Sequence, residues 1–416
     1  MKKHSRILAS TAFVAAAALS LSACGGTSSS EAASANADTD AFVVGALFPE
    51  TGSLAFLGAP EIAAVKLAVA DVNAAGGVLG KDVTEVSADV SDAEHADQNT
   101  SGAQSVLSKH PSVMIGPASS GVVKNTYKSI AAQKVPLISM GSTSTAFSGL
   151  DPYFFRTVAP DSVQGAVMGD LIAQDGVDRL AILVFNDEYG TGLRDTVAER
   201  VKAAGVDIVY GETETFDPTE TNFASVATAV KESKPDATLV ITYDQAKPLI
   251  KALSTAGVDT HKLYLVDGNA NNYSDDFDAG LLEGSKATIP GVNVTDEFHK
   301  QLEANGLKTS DPTTYAAETY DAVILAALAA EKGGAADGET VQQNLMAVSG
   351  ASGGEKCESY KACKALLDEK KDIRYVGQTG IGPFNDDHDP STANIGIYQY
   401  QKDNTYKFVT QQEGEV

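Results

Sequence analysis

Residues 113–143 read Val113-Met114-Ile115-Gly116-Pro117-Ala118-Ser119-Ser120-Gly121, an amphipathic segment to Lys134, then Pro136-Leu137-Ile138-Ser139-Met140-Gly141-Ser142-Thr143. The periodicity predicts a strand, a loop, a helix from Val122 to Lys134, a second strand and a second loop, one βαβ unit. Both strands run into small hydroxyl residues. In an open α/β sheet ligands bind beyond the carboxyl ends of the strands, where these two loops would lie side by side. Ser119 and Ser120 stand where the helix begins, so their hydroxyls and the unpaired first-turn N–H groups can meet an anionic ligand group. The same residues, with Ser142 and Thr143, are also ordinary helix caps, and the pattern alone leaves both roles open.

The alternation extends in both directions. Phe42-Val43-Val44-Gly45-Ala46-Leu47-Phe48 is a continuous apolar run of the kind a strand buried on both faces requires. Ile62, Val65, Val69 and Val72 follow at helical spacing, then a strand around Val83–Val86 and a helix carrying Ala103, Val106 and Leu107. Further strands are expected at Leu180–Phe185, Asp207–Tyr210, Thr238–Thr242, Leu263–Val266 and Ile395–Gln399. Helical patterns lie at Asp161–Gln174, Thr191–Ala204, Phe223–Ser233, Ala246–Ala256, Thr295–Ala304, Tyr315–Glu331 and Val341–Ala347, while Tyr153–Pro160 reads as a joining segment. Two successive βα runs imply an α/β protein of two doubly wound parallel-sheet lobes.

The 416-residue chain has 43% hydrophobic residues, enough for two cores, and a formal net charge of −24. A surface so acidic repels phosphate backbones, so nucleic acid is not an expected partner. Lys2, Lys3 and Arg6 precede the apolar run Ile7–Leu21, which is short for a membrane span and ends in Leu21-Ser22-Ala23-Cys24. That tetrapeptide resembles the bacterial lipobox. It implies a signal peptide over residues 1–23, cleavage before Cys24, and lipid anchoring of that cysteine to the cell membrane on its extracytoplasmic side. Residues 24–40, rich in Gly, Ser, Ala and acids, read as a flexible tether. Cys357 and Cys363 enclose a short polar loop; in an exported chain a disulfide is the leading reading, with free thiols or half a metal site as alternatives.

Tyr189, Tyr243 and Asp267 each follow an expected strand of the second run, where they would face the hydroxyl loops of the first. Asp267-Gly268-Asn269-Ala270-Asn271 begins like a calcium loop but has Asn272 where the turn wants glycine and Asp278 where a bidentate glutamate belongs. Asp386-Asp387-His388-Asp389 reads as a solvated turn, since consecutive residues rarely converge on one metal. None of the six histidines follows a strand, and the chain has neither a nucleophile elbow nor a dinucleotide fingerprint. Neither an enzyme nor a cofactor or metal is expected, and the absence of tryptophan argues against a sugar ligand.

Gly45-Ala46-Leu47-Phe48-Pro49-Glu50-Thr51-Gly52, Val72-Asn73-Ala74-Ala75-Gly76-Gly77-Val78-Leu79-Gly80, Ile115-Gly116-Pro117, Tyr189-Gly190-Thr191-Gly192 and Gly382-Pro383-Phe384-Asn385 occur in an order and spacing that carry a family resemblance. The chain resembles the extracytoplasmic solute-binding lipoproteins of ABC transporters, in the branched-chain amino-acid family of type I periplasmic binding proteins. The resemblance implies lobes of residues 41–158 with 291–383 and of 159–290 with 384–416. It implies crossings near Thr157–Pro160, Ala287–Gly291 and Gly382–Asn385. It further implies that Ser120, Gly141, Ser142 and Thr143 surround the carboxylate end of a small amino-acid ligand, that Asp267 faces its ammonium, and that Tyr189 and Tyr243 close across the cleft. Leu57 would touch the ligand side chain, where members often carry an aromatic, and the partner would be an ABC permease. Asp267 is shorter than the glutamate common in leucine binders, which leaves a short amide, urea or another small polar solute, or a sensor role, as the alternative.

Overall fold

Apolar side chains on both faces of Val43–Phe48 can be buried only in a sheet covered on two sides. In the computed structural model, which describes residues 41–416, this segment is strand β1; the leader, Cys24 and the tether through Asp40 lie outside the described residues. Val44, Ala46 and Phe48 enter one apolar cluster, and Leu47 a second one on the opposite face. With β2 (Thr84–Asp89), β3 (Val113–Ile115), β4 (Leu137–Ser139) and β5 (Phe154–Arg156) it forms an all-parallel sheet in the order β2-β1-β3-β4-β5. Helices α1 (Gly58–Ala74), α2 (Ala96–Leu107) and α3 (Ser120–Ala131) connect the strands, and α2 and α3 cover the Leu47 face.

After residues 157–160 the chain enters a second sheet through α4 (Asp161–Gln174), β6 (Arg179–Val184), α5 (Glu188–Ala203), β7 (Asp207–Tyr210), α6 (Ala224–Ser233), β8 (Ala237–Ile241), α7 (Ala246–Thr255), β9 (Leu263–Val266) and β10 (Lys286–Pro290). It then returns through α8 (Asp296–Ala304) and α9 (Ala316–Gly333), which pack on α1, and α10 (Gly338–Ser349). A small parallel pair of β11 (Glu355–Cys357) and β12 (Ile373–Tyr375) flanks α11 (Tyr360–Asp368). Strands β13 (Thr392–Tyr400) and β14 (Tyr406–Glu415) complete the second sheet, ordered β14-β13-β10-β9-β8-β6-β7, as antiparallel additions beyond β10.

Five local readings are corrected. Residues 154–156 are a strand rather than part of a connector, and 286–290 are a strand, so the chain leaves the second sheet only at Gly291. The last strand is followed by a partner, β14, which is largely exposed and so lacks the apolar alternation that would reveal it. Cys357 and Cys363 are not in a loop: they close β11 and lie within α11, with their sulfurs bonded and their Cα atoms 5.2 Å apart. Finally, the run Asp386–Asp389 is no solvated turn at its end, because Asp389 is 1% exposed and paired with Arg156, while His388 stacks on Phe155.

That pair is fully enclosed. Arg156 donates through Nε and Nη2 to the two Asp389 oxygens, through Nη2 to Ser148 Oγ at 2.8 Å, and through Nη1 to the carbonyls of Ser142 and Ser144 at 3.2 and 2.8 Å. Removing one member strands the other as a buried charge. Asp389→Ala should therefore lower stability by about 3–5 kcal/mol, against about 1 kcal/mol for Ser148→Ala, which deletes a neutral hydroxyl. Equal losses in urea titrations would refute the assignment of the larger role to the ion pair.

Candidate functional site

Strand order reverses between β1 and β3 in the first sheet and between β6 and β8 in the second, and a crevice opens at the carboxyl ends at each reversal. The loop after β3 turns at Gly116 (φ +89°), where any side chain would collide with the Leu47 carbonyl. Ser119 then caps α3, accepting from Val122 N at 3.4 Å. Ser120 is 1% exposed, and its Oγ accepts from Ser144 N at 3.3 Å.

The loop after β4 is stitched to this one by two hydroxyls. Ser139 Oγ donates to Pro117 O at 2.7 Å, and Ser142 Oγ donates to Pro117 O at 2.8 Å. The Ser142 hydroxyl is thus engaged in holding the loops together, rather than held out toward a ligand. Gly141 lies against Tyr315 and Ala118, and Thr143 is fully buried with its Oγ1 lacking a hydrogen-bond partner.

The second sheet supplies the opposite wall. Asp187 caps α5 by accepting from Tyr189 N, so Tyr189 lies in the first helical turn and the helix begins before the expected Thr191. Tyr189 and Tyr243 stack with centroids 5.6 Å apart. Both pack on Gly268, where an added Cβ would lie 2.9 Å from the Tyr243 ring and 3.1 Å from the Tyr189 ring. Asp267, 4% exposed, accepts from Tyr189 OH and Gln164 Nε2 on Oδ1, each at 2.8 Å, and from Tyr315 OH on Oδ2 at 2.6 Å. Tyr315 immediately precedes α9, which packs on the first sheet's side, so this last bond spans the two sheets. Burial keeps all three phenols protonated well past their ordinary range, as donors. At the rim, Lys124 of α3 pairs with Glu188 of α5 at 2.6 Å.

Asp161, the first residue of α4, is fully buried and neither of its carboxylate oxygens has a hydrogen-bond partner; Gln164 Oε1, one turn on, has none either. Its backbone N–H donates to Thr143 O at 2.8 Å, which ties the two sides of the crevice together. Burial pushes the Asp161 carboxyl well above the usual range, and the negative charge of Asp267 adds to this; the Thr143 hydroxyl beside it pulls the other way without closing a hydrogen bond. Asp267 is raised by burial too, against the three donors it accepts from.

The structure therefore brings Ser120, Gly141, Thr143, Tyr189, Tyr243 and Asp267 to one crevice. Leu57 is 2% exposed in a 3-10 turn and joins the apolar cluster, not the hydrogen-bonded set. Sequence reasoning missed Asp161, Gln164 and Tyr315. Asp161 follows β5 as Ser120 follows β3, but an acid opening a helix also reads as a plain dipole partner. Tyr315, in left-handed backbone at φ 62°, follows no strand at all. Among the described residues no cluster of three or more His, Cys, Asp or Glu is placed to hold a metal.

An unpartnered buried carboxyl gives a signed pH dependence. Its contribution to stability is complete below the ordinary Asp value and is lost as pH rises through the raised one. The melting-temperature gain of Asp161→Asn over wild type in the ligand-free protein should thus grow as pH rises above the ordinary Asp value of about 4; a constant difference would show that Asp161 is partnered or solvated.

Residues 42–357 match the periplasmic binding protein family. A leucine-, isoleucine-, valine-, threonine- and alanine-binding protein of Pseudomonas aeruginosa is 26% identical over 304 residues, covering 72% of this chain and 80% of the relative. A chemotactic signal transduction substrate-binding protein, BasB of Halobacterium salinarum, is 27% identical over 361 residues, covering 81% and 82%. Among solved structures, LivJ of Streptococcus pneumoniae in complex with isoleucine superposes with a TM-score of 0.71 at 24% identity, over 90% of this chain and all of that one. A Rhodopseudomonas palustris solute-binding protein with 4-hydroxybenzoate gives 0.72 at 17% identity, over 91% and 98%. At these identities the superpositions speak for the fold alone.

Proposed function

Because the chain belongs to the type I periplasmic binding proteins of the branched-chain amino-acid family, an extracytoplasmic solute-binding family, we propose that its crevice captures a small α-amino acid and delivers it to an ABC permease. The observation that carries this reading is the set of unpartnered polar atoms around Asp161. Both of its oxygens and Gln164 Oε1 are pure acceptors, Thr143 Oγ1 can accept as well, and Asp267 lies within reach of Gln164. The buried set is dominated by acceptors, with Arg156 and the Thr143 hydroxyl only partly offsetting Asp161, and it suits a ligand group that donates and is positive; an ammonium presents three N–H donors.

The ligand carboxylate would lie opposite, at the amino end of α3, against Ser120 and the backbone of Gly141 and Thr143. Tyr189 and Tyr243 would cover it from the second sheet, and Leu57 would meet the side chain. The three chain passages at 157–160, around Gly291 and before β13 would serve as the hinge between lobes of 41–158 with 291–383 and 159–290 with 384–416. A ligand touching both walls binds the closed arrangement preferentially, which is the form a permease would read. Cys24 would hold the protein to the membrane; no helix among the described residues is long and apolar enough to cross one. The likeness to BasB favours a ligand sensor as the second reading, and the acid-lined pole disfavours an aromatic acid there.

A thermal-shift screen over the twenty amino acids, simple amides, urea and benzoates tests this. A ligand at 1,000 times its Kd stabilises the native state by roughly 4 kcal/mol. Leucine, isoleucine or valine should give the largest rise, and Asp161→Asn or Asp267→Asn should abolish it, whereas Ser142→Ala should leave ligand affinity within a few-fold. If urea or benzoate alone shifts the protein, the ammonium assignment fails.

A further inference from the structure

Beside the crevice, with which it shares Tyr315, the passage at Gly291 borders a second cavity of about 300 Å³, at the lower end of the size range of small-molecule sites. Its lining includes Glu318, Asp296, Asp311, Tyr398, Tyr406 and Phe408; the one basic side chain in it is His299, with neither lysine nor arginine. Glu318, on the first turn of α9, is 3% exposed, and its Oε1 accepts no hydrogen bond. A side chain at Gly291 (φ +109°) would collide with that oxygen, and the Glu318 carbonyl accepts from Thr157 Oγ1 at 2.8 Å. One residue thus touches two of the three chain passages. The opposite wall is an aromatic corner on β13 and β14, with Tyr398 edge-on to Tyr406 at 5.3 Å and to Phe408 at 5.6 Å.

We propose that this cavity binds a small organic cation of the alkylammonium class, with Glu318 as its counter-ion and the Tyr398, Tyr406 and Phe408 rings around its alkyl groups. A buried carboxyl with an oxygen that accepts no hydrogen bond is costly to ionise unless a cation accompanies it. Burial, with Asp321 nearby, accordingly pushes Glu318 up to about 8. Ring faces and an acid together are the surroundings in which quaternary ammonium groups are held. The site is chemically distinct from the crevice pole: Asp161, Gln164 and Thr143 need N–H donors, which a quaternary ammonium lacks, so the two sites are separable with one probe.

That probe is tetramethylammonium, followed by saturation-transfer NMR on the full chain against a sodium chloride control. Saturable binding is expected, and it should persist when the crevice is filled with whichever amino acid gives the largest thermal shift. Glu318→Gln, an isostere of the protonated acid, should weaken it at least about tenfold. Should that variant fail to fold, Phe408→Ala, at a ring 38% exposed, should weaken it measurably. Absence of saturable transfer, an affinity unchanged by these substitutions, or complete displacement by the crevice ligand would overturn the proposal. An empty crevice that binds no amino acid in the screen leaves this result independent, since the probe reads only the second cavity.

Discussion

The Arg156–Asp389 pair is the constraint on which the crevice depends. Arg156 ends β5, just before the chain first leaves the first sheet, and Asp389 lies just before β13, where the chain joins the second sheet for the last time. Joining them ties the first and last passages to each other. A buried ion pair stabilises little unless its remaining donors and lone pairs are satisfied; here Nη1 is occupied by the carbonyls of Ser142 and Ser144. The same guanidinium that staples the passages therefore fixes the loop after β4. That loop in turn holds the loop after β3, through Ser139 and Ser142 on the Pro117 carbonyl. Small hydroxyl residues populate the two loops as much because the loops must be stitched at close range as because a ligand must be held.

The parallel frame was legible from the sequence because β1, β3, β4, β6, β8 and β9 are apolar on both faces, and such runs are hard to mistake. Three further strands of the two large sheets were hidden by their chemistry. Phe154–Arg156 ends in a charge whose partner is 233 residues away, and Lys286–Pro290 ends in a proline beside a glycine, the usual mark of a turn. Strand β14 is too exposed to alternate. The crevice divided the same way. Tyr189, Tyr243 and Asp267 were found by one rule, polar residues at strand ends. Asp161 obeys that rule but follows the strand that was not recognised. Tyr315 obeys no rule of spacing, because a left-handed residue before α9 brings it there.

Electrostatics decide what this arrangement can hold. Asp161 and Asp267 are both buried, and the charge of Asp267 adds to the cost of ionising Asp161 while that of Arg156 reduces it. Asp267 accepts hydrogen bonds from three donors, whereas neither oxygen of Asp161 accepts one. A neutral amide could donate to Asp161 but would not offset its charge, and an anionic ligand group would add to the repulsion. A cationic donor does both, and it is most valuable when water is excluded.

On the proposed function, closure and capture would be one event. The Tyr315–Asp267 bond spans the sheets, so on the proposed reading the acid that would face the ligand would receive a donor from the opposite side only when the walls meet. In an open arrangement Asp161 and Asp267 regain water and lose most of the penalty of burial. Closing an empty crevice therefore has to desolvate Asp161 with nothing to replace the water. Closing around an ammonium would exchange that water for charge-assisted hydrogen bonds. The ligand's differential interaction with the two arrangements, which is the quantity that shifts a population, is concentrated on this single carboxylate.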